Sequence, residues 1–206
     1  MIDFSLVTIL PAVTLNSAAS AVPVARALLE GGVKVMEVAF RTPEAAACIR
    51  AIREEVPAIT VGAGTLLSIG QLREARNAGA QFGLSPGFNP RIASEALAMD
   101  FPFIPGAMTP GEIEQSIEMG FRLLKLFPAA QIGGVGMLKA LRGPYGPTGV
   151  KFIPMGGVNA RNMNEFLSLD NVACVGGSWL ATPEMIREKQ FSEITRNARE
   201  AMILRG

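Results

Sequence analysis

The stretch Val33-Lys34-Val35-Met36-Glu37-Val38-Ala39-Phe40-Arg41-Thr42-Pro43-Glu44-Ala45-Ala46-Ala47-Cys48-Ile49-Arg50-Ala51-Ile52-Arg53-Glu54-Glu55 changes period at Thr42-Pro43. Residues 33–40 are dominated by aliphatic side chains around one acid, which reads as a largely buried strand. After Pro43 the apolar residues return at helical spacing, and a proline behind a threonine suits the first helical turn. One strand followed directly by one helix is the unit of a parallel sheet. The same unit recurs in both directions along the chain. Strands are expected at 7–14, 33–40, 59–64, 82–85, 101–105, 122–127, 151–154 and 172–176, and helices at 18–30, 43–55, 69–77, 90–98, 110–119, 136–141, 161–167 and 192–203. Ser68, Asn89-Pro90 and Thr109-Pro110 supply further helix starts. Eight such repeats predict an α/β fold, a closed (β/α)8 barrel of the TIM type, with residues 1–206 as one compact domain with tight loops. A doubly wound open sheet is the competing topology. It usually carries a glycine fingerprint after its first strand, which Pro11-Ala12-Val13-Thr14 does not supply.

Composition narrows the chemistry. The chain is 49% hydrophobic and 18% charged, enough apolar content for one well-buried core and without a break that marks a second domain. Its net charge of +1 is spread along the sequence, with no basic block, which argues against nucleic acid or an acidic membrane surface as partner. The amino terminus, Met1-Ile2-Asp3-Phe4, has no basic region and meets Pro11 after a short apolar run, unlike a signal peptide or a membrane span, so a cytoplasmic location is expected. Cys48 and Cys174 have neither metal nor redox spacing and read as buried thiols. The chain has no histidine, which removes imidazole acid–base chemistry, Ser-His catalysis and histidine metal sites together. Any catalyst must be built from Glu, Lys, Arg and hydroxyl groups.

Phe121-Arg122-Leu123-Leu124-Lys125-Leu126-Phe127-Pro128 sets one lysine in a buried strand. Desolvation disfavours an ammonium, and the neutral amine is a nucleophile, so Lys125 is the first candidate for covalent chemistry. The plain alternative is a strand-end lysine whose head group snorkels to water. Strand alternation places Val35, Glu37, Ala39 and Arg41 on one face of strand two, and Leu123, Lys125 and Phe127 on one face of strand six. Glu37 and Lys125 can then meet inside a barrel. A buried carboxylate needs a partner or a role, and a Glu37–Arg41 ion pair at the barrel mouth is the structural alternative to catalysis.

Function on a barrel belongs at the carboxyl ends of the strands. Strand three ends in Val61-Gly62-Ala63-Gly64-Thr65, where glycines admit a ligand and Thr65 offers a hydroxyl. Ser85-Pro86-Gly87 and Pro105-Gly106-Ala107-Met108-Thr109 read as rigid walls. Met155-Gly156-Gly157 after strand seven and Gly176-Gly177-Ser178 after strand eight can present N–H groups and a hydroxyl to a phosphate, the alternative being close packing at the rim.

Taken in order, Glu37-Val38-Ala39-Phe40-Arg41-Thr42, Val61-Gly62-Ala63-Gly64-Thr65, Ser85-Pro86-Gly87, Pro105-Gly106, Lys125-Leu126-Phe127-Pro128-Ala129, Leu138-Lys139-Ala140-Leu141, Pro154-Met155-Gly156-Gly157 and Gly176-Gly177-Ser178-Trp179-Leu180 resemble the class I aldolases that cleave 2-keto-3-deoxy-6-phosphogluconate (KDPG) and often 4-hydroxy-2-oxoglutarate (KHG). The resemblance covers nearly the whole chain. It implies a carbon–carbon lyase that needs no metal or organic cofactor and releases pyruvate with glyceraldehyde 3-phosphate, or with glyoxylate from KHG. It implies Lys125 as the Schiff-base lysine, Glu37 as the proton-transferring carboxylate, and Arg41 and Thr65 as holders of the pyruvate carboxylate. Pro86 and Met155 fall at substrate-lining positions, with Gly156, Gly157, Gly177 and Ser178 at the phosphate end. A homotrimer of barrels is implied as well. One residue departs from the pattern: Met155 stands where phosphogluconate-specific members usually carry threonine, and a thioether cannot donate to a substrate hydroxyl. An aldolase for the 6-phosphogalactonate epimer or for an unphosphorylated 2-keto-3-deoxy acid is therefore the alternative within the class. Other phosphate-binding barrels, such as sugar-phosphate epimerases, would leave Lys125 without a purpose, and a metal-dependent aldolase would need an all-carboxylate site. Outside enzymes, the alternative is a non-catalytic barrel that only binds sugar phosphates.

Overall fold

A computed structural model describes residues 3–203. Met1 and Ile2, where the reading of the amino terminus began, lie outside the described residues. The first strand, β1 (Ile9–Val13), is followed by α1 (Ala18–Glu30), β2 (Val35–Ala39), α2 (Ala45–Glu55), β3 (Thr60–Gly64), α3 (Ile69–Asn77), β4 (Gly83–Leu84) and α4 (Pro90–Ala98). Then come β5 (Phe103–Ile104), β6 (Gly106–Ala107), α5 (Pro110–Glu118), β7 (Leu123–Leu126), α6 (Gly134–Tyr145), β8 (Lys151–Pro154), α7 (Met163–Leu167), β9 (Val175–Gly177), α8 (Pro183–Arg187) and α9 (Phe191–Ile203). Every strand pairing among them is parallel, and the helices between the strands supply the crossovers that parallel pairing needs. The strands form a six-stranded sheet in the order β5-β4-β3-β2-β1-β9 and a three-stranded sheet in the order β6-β7-β8.

The expected fifth strand is divided by Pro105. A proline has no N–H to give a ladder, so β5 pairs with β4 on one side of it and β6 pairs with β7 on the other. The Pro105 carbonyl accepts from the Lys125 N–H at 2.9 Å, tying the junction to β7. At the other flank Phe152 bridges to Val172, with Phe152 N–H donating to the Asn171 carbonyl at 2.8 Å and Ala173 N–H to the Phe152 carbonyl at 2.9 Å.

Strand alternation sorts the apolar residues into two layers. Ile9, Met36, Val38, Val61, Ala63, Leu124, Leu126 and Phe152 face the helices and belong to the large cluster between sheet and helices. Their neighbours Leu10, Val35, Ile104, Ile153 and Met155 face the other way and pack with Phe4, Phe82, Leu84 and Cys174 in a smaller cluster on the inner side of the curled sheet. Phe4 meets Phe82 edge-on at 5.3 Å between ring centroids, closing the amino-terminal end of that interior.

The helix starts follow the expected chemistry with one correction. Ser68 accepts from Gln71 N–H, Asn89 accepts from Arg91 N–H and Ile92 N–H, and Thr109 with Glu112 forms a reciprocal capping box. Thr42-Pro43, by contrast, does not open α2. That helix begins at Ala45 with no side-chain cap, and the Thr42 hydroxyl donates instead to the Leu15 carbonyl at 2.6 Å. Helix α6 runs longer than expected, through Pro144, and α8 was not anticipated although Thr182-Pro183 carries a proper start, with the threonine accepting from Met185 N–H.

The capping box gives a pH-dependent increment of stability. Burial pushes the Glu112 carboxyl up, but hydrogen bonds from Met108 N–H, Thr109 N–H and the Thr109 hydroxyl outweigh it and hold the group below its ordinary value. A carboxyl lowered by folding stabilises the native state above the unfolded-state pKa, and that contribution is lost as pH falls through the folded-state value. Glu112→Ala should therefore cost about 0.5–1 kcal/mol at pH 7, in the range of a lost cap. The same substitution should cost less at pH 3, as read from urea midpoints at both values.

Candidate active site

The inner face of β2 carries Glu37 and that of β7 carries Lys125, so two strands that are not paired with each other aim opposite charges into one interior. Lys125 Nζ lies 3.5 Å from Glu37 Oε1, with side-chain exposures of 4% and 2%. Among the described residues the other ion pairs, such as Arg26–Glu55 and Arg142–Asp170, lie at the surface. Glu37 Oε2 is buried and has no hydrogen-bond partner, an acceptor left open beside an amine. The Phe127 ring completes this corner, its centroid 5.5 Å from Nζ. A buried pair with one unsatisfied oxygen is poor value for stability and well suited to moving protons.

Neighbouring strands shape the space around the pair. A Cβ on Gly64 would stand 2.7 Å from Glu37 Cδ, so the carboxylate rests where β3 has no side chain. Register explains this, since Glu37 pairs with Gly62 and Ala39 with Gly64. Gly62 similarly admits the Phe82 ring at 2.4 Å. The glycines of β3, read from sequence as room for a ligand, are thus occupied by Glu37 and Phe82. Gly64→Ala should displace the Glu37 carboxylate; with Glu37 as a candidate catalytic group, the expected result is a kcat lower by at least about tenfold. Its urea midpoint should move far less than its kcat, and an unchanged kcat would mean that the carboxylate position is immaterial.

Thr65, directly after β3, holds φ at 60°, a left-handed conformation that costs a β-branched residue energy and marks a segment held in place by its surroundings. Ser85 is 3% exposed; its hydroxyl donates to the Gly87 carbonyl at 2.7 Å and accepts from Gly106 N–H at 3.2 Å. It fixes the Pro86 wall against the next strand, and a Cβ at Gly106 would collide with the Pro86 carbonyl group at 2.4 Å. In sequence Ser85 reads only as part of a rigid wall; its partner lies 21 residues away, beyond the reach of local pattern. Met155 is buried with its side chain over Gly176, where a Cβ would be 2.1 Å from its Cε.

Beyond Met155 the chain turns through Gly156 at φ 90° and Gly157 at φ 80°, the left-handed region that glycine adopts without penalty. Gly157 also abuts Ala130, at 2.4 Å for a hypothetical Cβ. At the neighbouring strand end the Trp179 ring covers Gly177, and Ser178 is exposed. Among the described residues, no acceptor is recorded for the backbone N–H groups of Gly156, Gly157, Val158, Ser178 and Trp179. Unsatisfied donors on two adjacent strand ends are what an anion requires.

Arg41 stands apart. Strand β2 stops at Ala39, so the alternation that would put Arg41 on the face of Glu37 ends before reaching it. Arg41 N–H turns back to the Ala39 carbonyl at 2.8 Å, and the side chain is exposed in a cleft with Phe40, Thr42, Pro43, Gln71 and Glu74. Among the described residues it makes no ion pair with Glu37, whose cationic partner is Lys125. The structure thus brings Lys125 and Glu37 together, sets Gly156, Gly157, Gly177 and Ser178 at adjacent strand ends, and leaves Arg41 exposed without an ion pair to Glu37.

Comparison with known proteins is consistent along the chain. The family model described as KDPG and KHG aldolase matches residues 3–197. The 2-dehydro-3-deoxy-phosphogluconate aldolase of Treponema pallidum (strain Nichols) is 42% identical over 200 residues, covering 97% of this chain and 94% of that one. The KHG/KDPG aldolase of Shigella flexneri is 41% identical over 194 residues, 94% of this chain and 90% of its own. Among solved structures, the KDPG aldolase from Legionella pneumophila with pyruvate captured at low pH as a covalent carbinolamine intermediate superposes with a TM-score of 0.92 at 38% identity, covering 96% of this chain and 95% of that one.

Proposed function

Since this chain belongs to the KDPG and KHG aldolase family, we propose that it is a Schiff-base aldolase cleaving 2-keto-3-deoxy-6-phosphogluconate to pyruvate and glyceraldehyde 3-phosphate, with KHG as a second substrate. The observation that carries this reading is the buried Lys125–Glu37 contact of 3.5 Å with Glu37 Oε2 left open.

The chemistry follows from those two groups. The neutral Lys125 amine adds to the C2 ketone, giving a carbinolamine, and loss of water gives an iminium that accepts electrons from the adjacent carbon–carbon bond. Glu37 serves the dehydration as proton carrier and then takes the C4 hydroxyl proton as the C3–C4 bond breaks. The aldehyde leaves, the enamine is protonated at C3, and hydrolysis returns pyruvate and the free amine. Arg41 and Thr65 hold the substrate carboxylate in this reading, which requires the exposed Arg41 side chain to swing from its cleft toward the barrel mouth. Pro86 and Met155 line the substrate. The unsatisfied N–H groups near Gly156, Gly157 and Ser178 support the phosphate end, completed by Gly177. Met155 offers no donor to a C4 hydroxyl, so the 6-phosphogalactonate epimer or an unphosphorylated 2-keto-3-deoxy acid is expected as a poorer but accepted substrate.

We read the two sheets as one closed (β/α)8 barrel forming a single domain. The Lys125–Pro105 hydrogen bond at one flank and the Phe152–Val172 bridge at the other support closure. A homotrimer and a cytoplasmic location complete the proposal; no helix among the described residues is long and apolar enough to cross a membrane. The test is borohydride reduction with pyruvate followed by peptide mapping, run beside a panel of phosphorylated and unphosphorylated keto acids. An adduct on the Lys125 peptide with preferred turnover of the phosphogluconate is expected; no adduct would overturn the Schiff-base mechanism.

A further inference from the structure

The carbonyl of Gly157 is gripped by two side chains. Asn162 Nδ2 donates to it at 3.0 Å and Asn159 Nδ2 at 3.3 Å. Each amide is oriented by a second bond: Asn162 Oδ1 accepts from Asn159 N–H at 2.8 Å, and Asn159 Oδ1 accepts from Arg161 N–H at 2.9 Å. A trans peptide is rigid and carries its C=O and N–H on opposite sides. Pulling the Gly157 carbonyl toward the asparagines therefore turns the Val158 N–H the other way. That donor, with those of Gly156 and Gly157, is among the N–H groups without an acceptor among the described residues. A glycine at φ 80° has no Cβ to narrow the choice of backbone conformation, so the two amide bonds to its carbonyl constrain an otherwise permissive turn.

We propose that Asn162, supported by Asn159, is a positioning residue that fixes the Gly156-Gly157-Val158 turn as an anion-binding surface and thereby sets how strongly the enzyme prefers a phosphorylated substrate. This rests on the phosphate end assigned above. The asparagines themselves need not touch the substrate; they act through the peptide plane, so their removal loosens the hold on phosphate and leaves the amine chemistry at Lys125 intact.

The chain has one tryptophan, Trp179, and it covers Gly177 at the same strand ends, which makes its fluorescence a local reporter of anion binding. Asn162→Ala and Asn159→Ala are compared with the wild type in three measurements. These are titration with inorganic phosphate, steady-state kinetics on phosphorylated and unphosphorylated keto acids, and borohydride trapping with pyruvate. Expected for Asn162→Ala are about tenfold weaker phosphate binding and about tenfold higher KM for the phosphorylated substrate, the scale of one lost oriented hydrogen bond. Its kcat should stay within about twofold and pyruvate trapping at the wild-type level, since no group on the reacting atoms has changed. Asn159→Ala, with the longer bond, should shift the same constants in the same direction by less. Phosphate affinity and KM unchanged in both variants would overturn the proposal, as would an equal loss on phosphorylated and unphosphorylated substrates, which reports general loosening. Should the wild type itself show no preference for phosphorylated substrates, the phosphate end falls and the positioning role falls with it. A wild-type preference with unaltered variants would remove only the role of the asparagines.

Discussion

Lys125→Ala should leave no pyruvyl adduct after borohydride reduction and should reduce retro-aldol turnover to the uncatalysed background. The amine at 4% side-chain exposure is the group aimed into the interior beside the open Glu37 oxygen, and no neighbouring lysine stands on that face: Lys34 and Lys151 sit exposed at the starts of their strands. The alanine variant also strips a buried carboxylate of its partner, a change that typically costs ~3–5 kcal/mol and can itself unfold a protein. Lys125→Met combined with Glu37→Gln removes both charges at little change of volume and separates the two effects. Both variants should fail to trap pyruvate, and the double variant, with neither charge left in the interior, should do so with the circular dichroism of the wild type. Trapping at wild-type yield in either one would show that the covalent centre lies elsewhere.

The legible part of the site was the part governed by a local rule. Two-residue alternation along 33–40 and 122–127 put Glu37 and Lys125 on inner faces, and the sorting of Met36, Val38, Leu124 and Leu126 into the outer layer follows the same rule. Where a strand ended, the rule stopped: Arg41 lies beyond Ala39, and alternation carried two residues too far. Pro105 carried a readable signal, an absent N–H, but the consequence, a change of sheet partner, depends on which strands flank it in space. Gly64 shows the other limit. Its purpose is the Glu37 carboxylate above it, and that depends on the β2–β3 register, which no local pattern states. Ser85 and the Asn159–Asn162 pair belong to the same class, because short polar side chains satisfying backbone groups look like loop residues until their partners are known.

Glu37→Gln should separate covalent capture from catalysis. Glutamine is nearly isosteric and can rest over Gly64 as the carboxylate does, so the interior keeps its shape. What it cannot do is accept and return a proton. Both steps assigned to Glu37, dehydration of the carbinolamine and removal of the C4 hydroxyl proton, should slow, and a lost general acid–base group costs about 10²–10⁴ in rate. The end point of pyruvate trapping should match the wild type because Lys125 remains, while the rate of approach to that end point falls. Turnover of the phosphorylated keto acid should fall by the full factor with KM little changed, the mark of an interaction used in the transition state rather than in binding. The two readings differ sharply if Glu37 serves only as a counter-charge for a buried lysine. In that case kcat in the glutamine variant would stay within a few-fold of wild type, and the orphaned Oε2 would be a structural accident of the pair rather than the proton acceptor of the reaction.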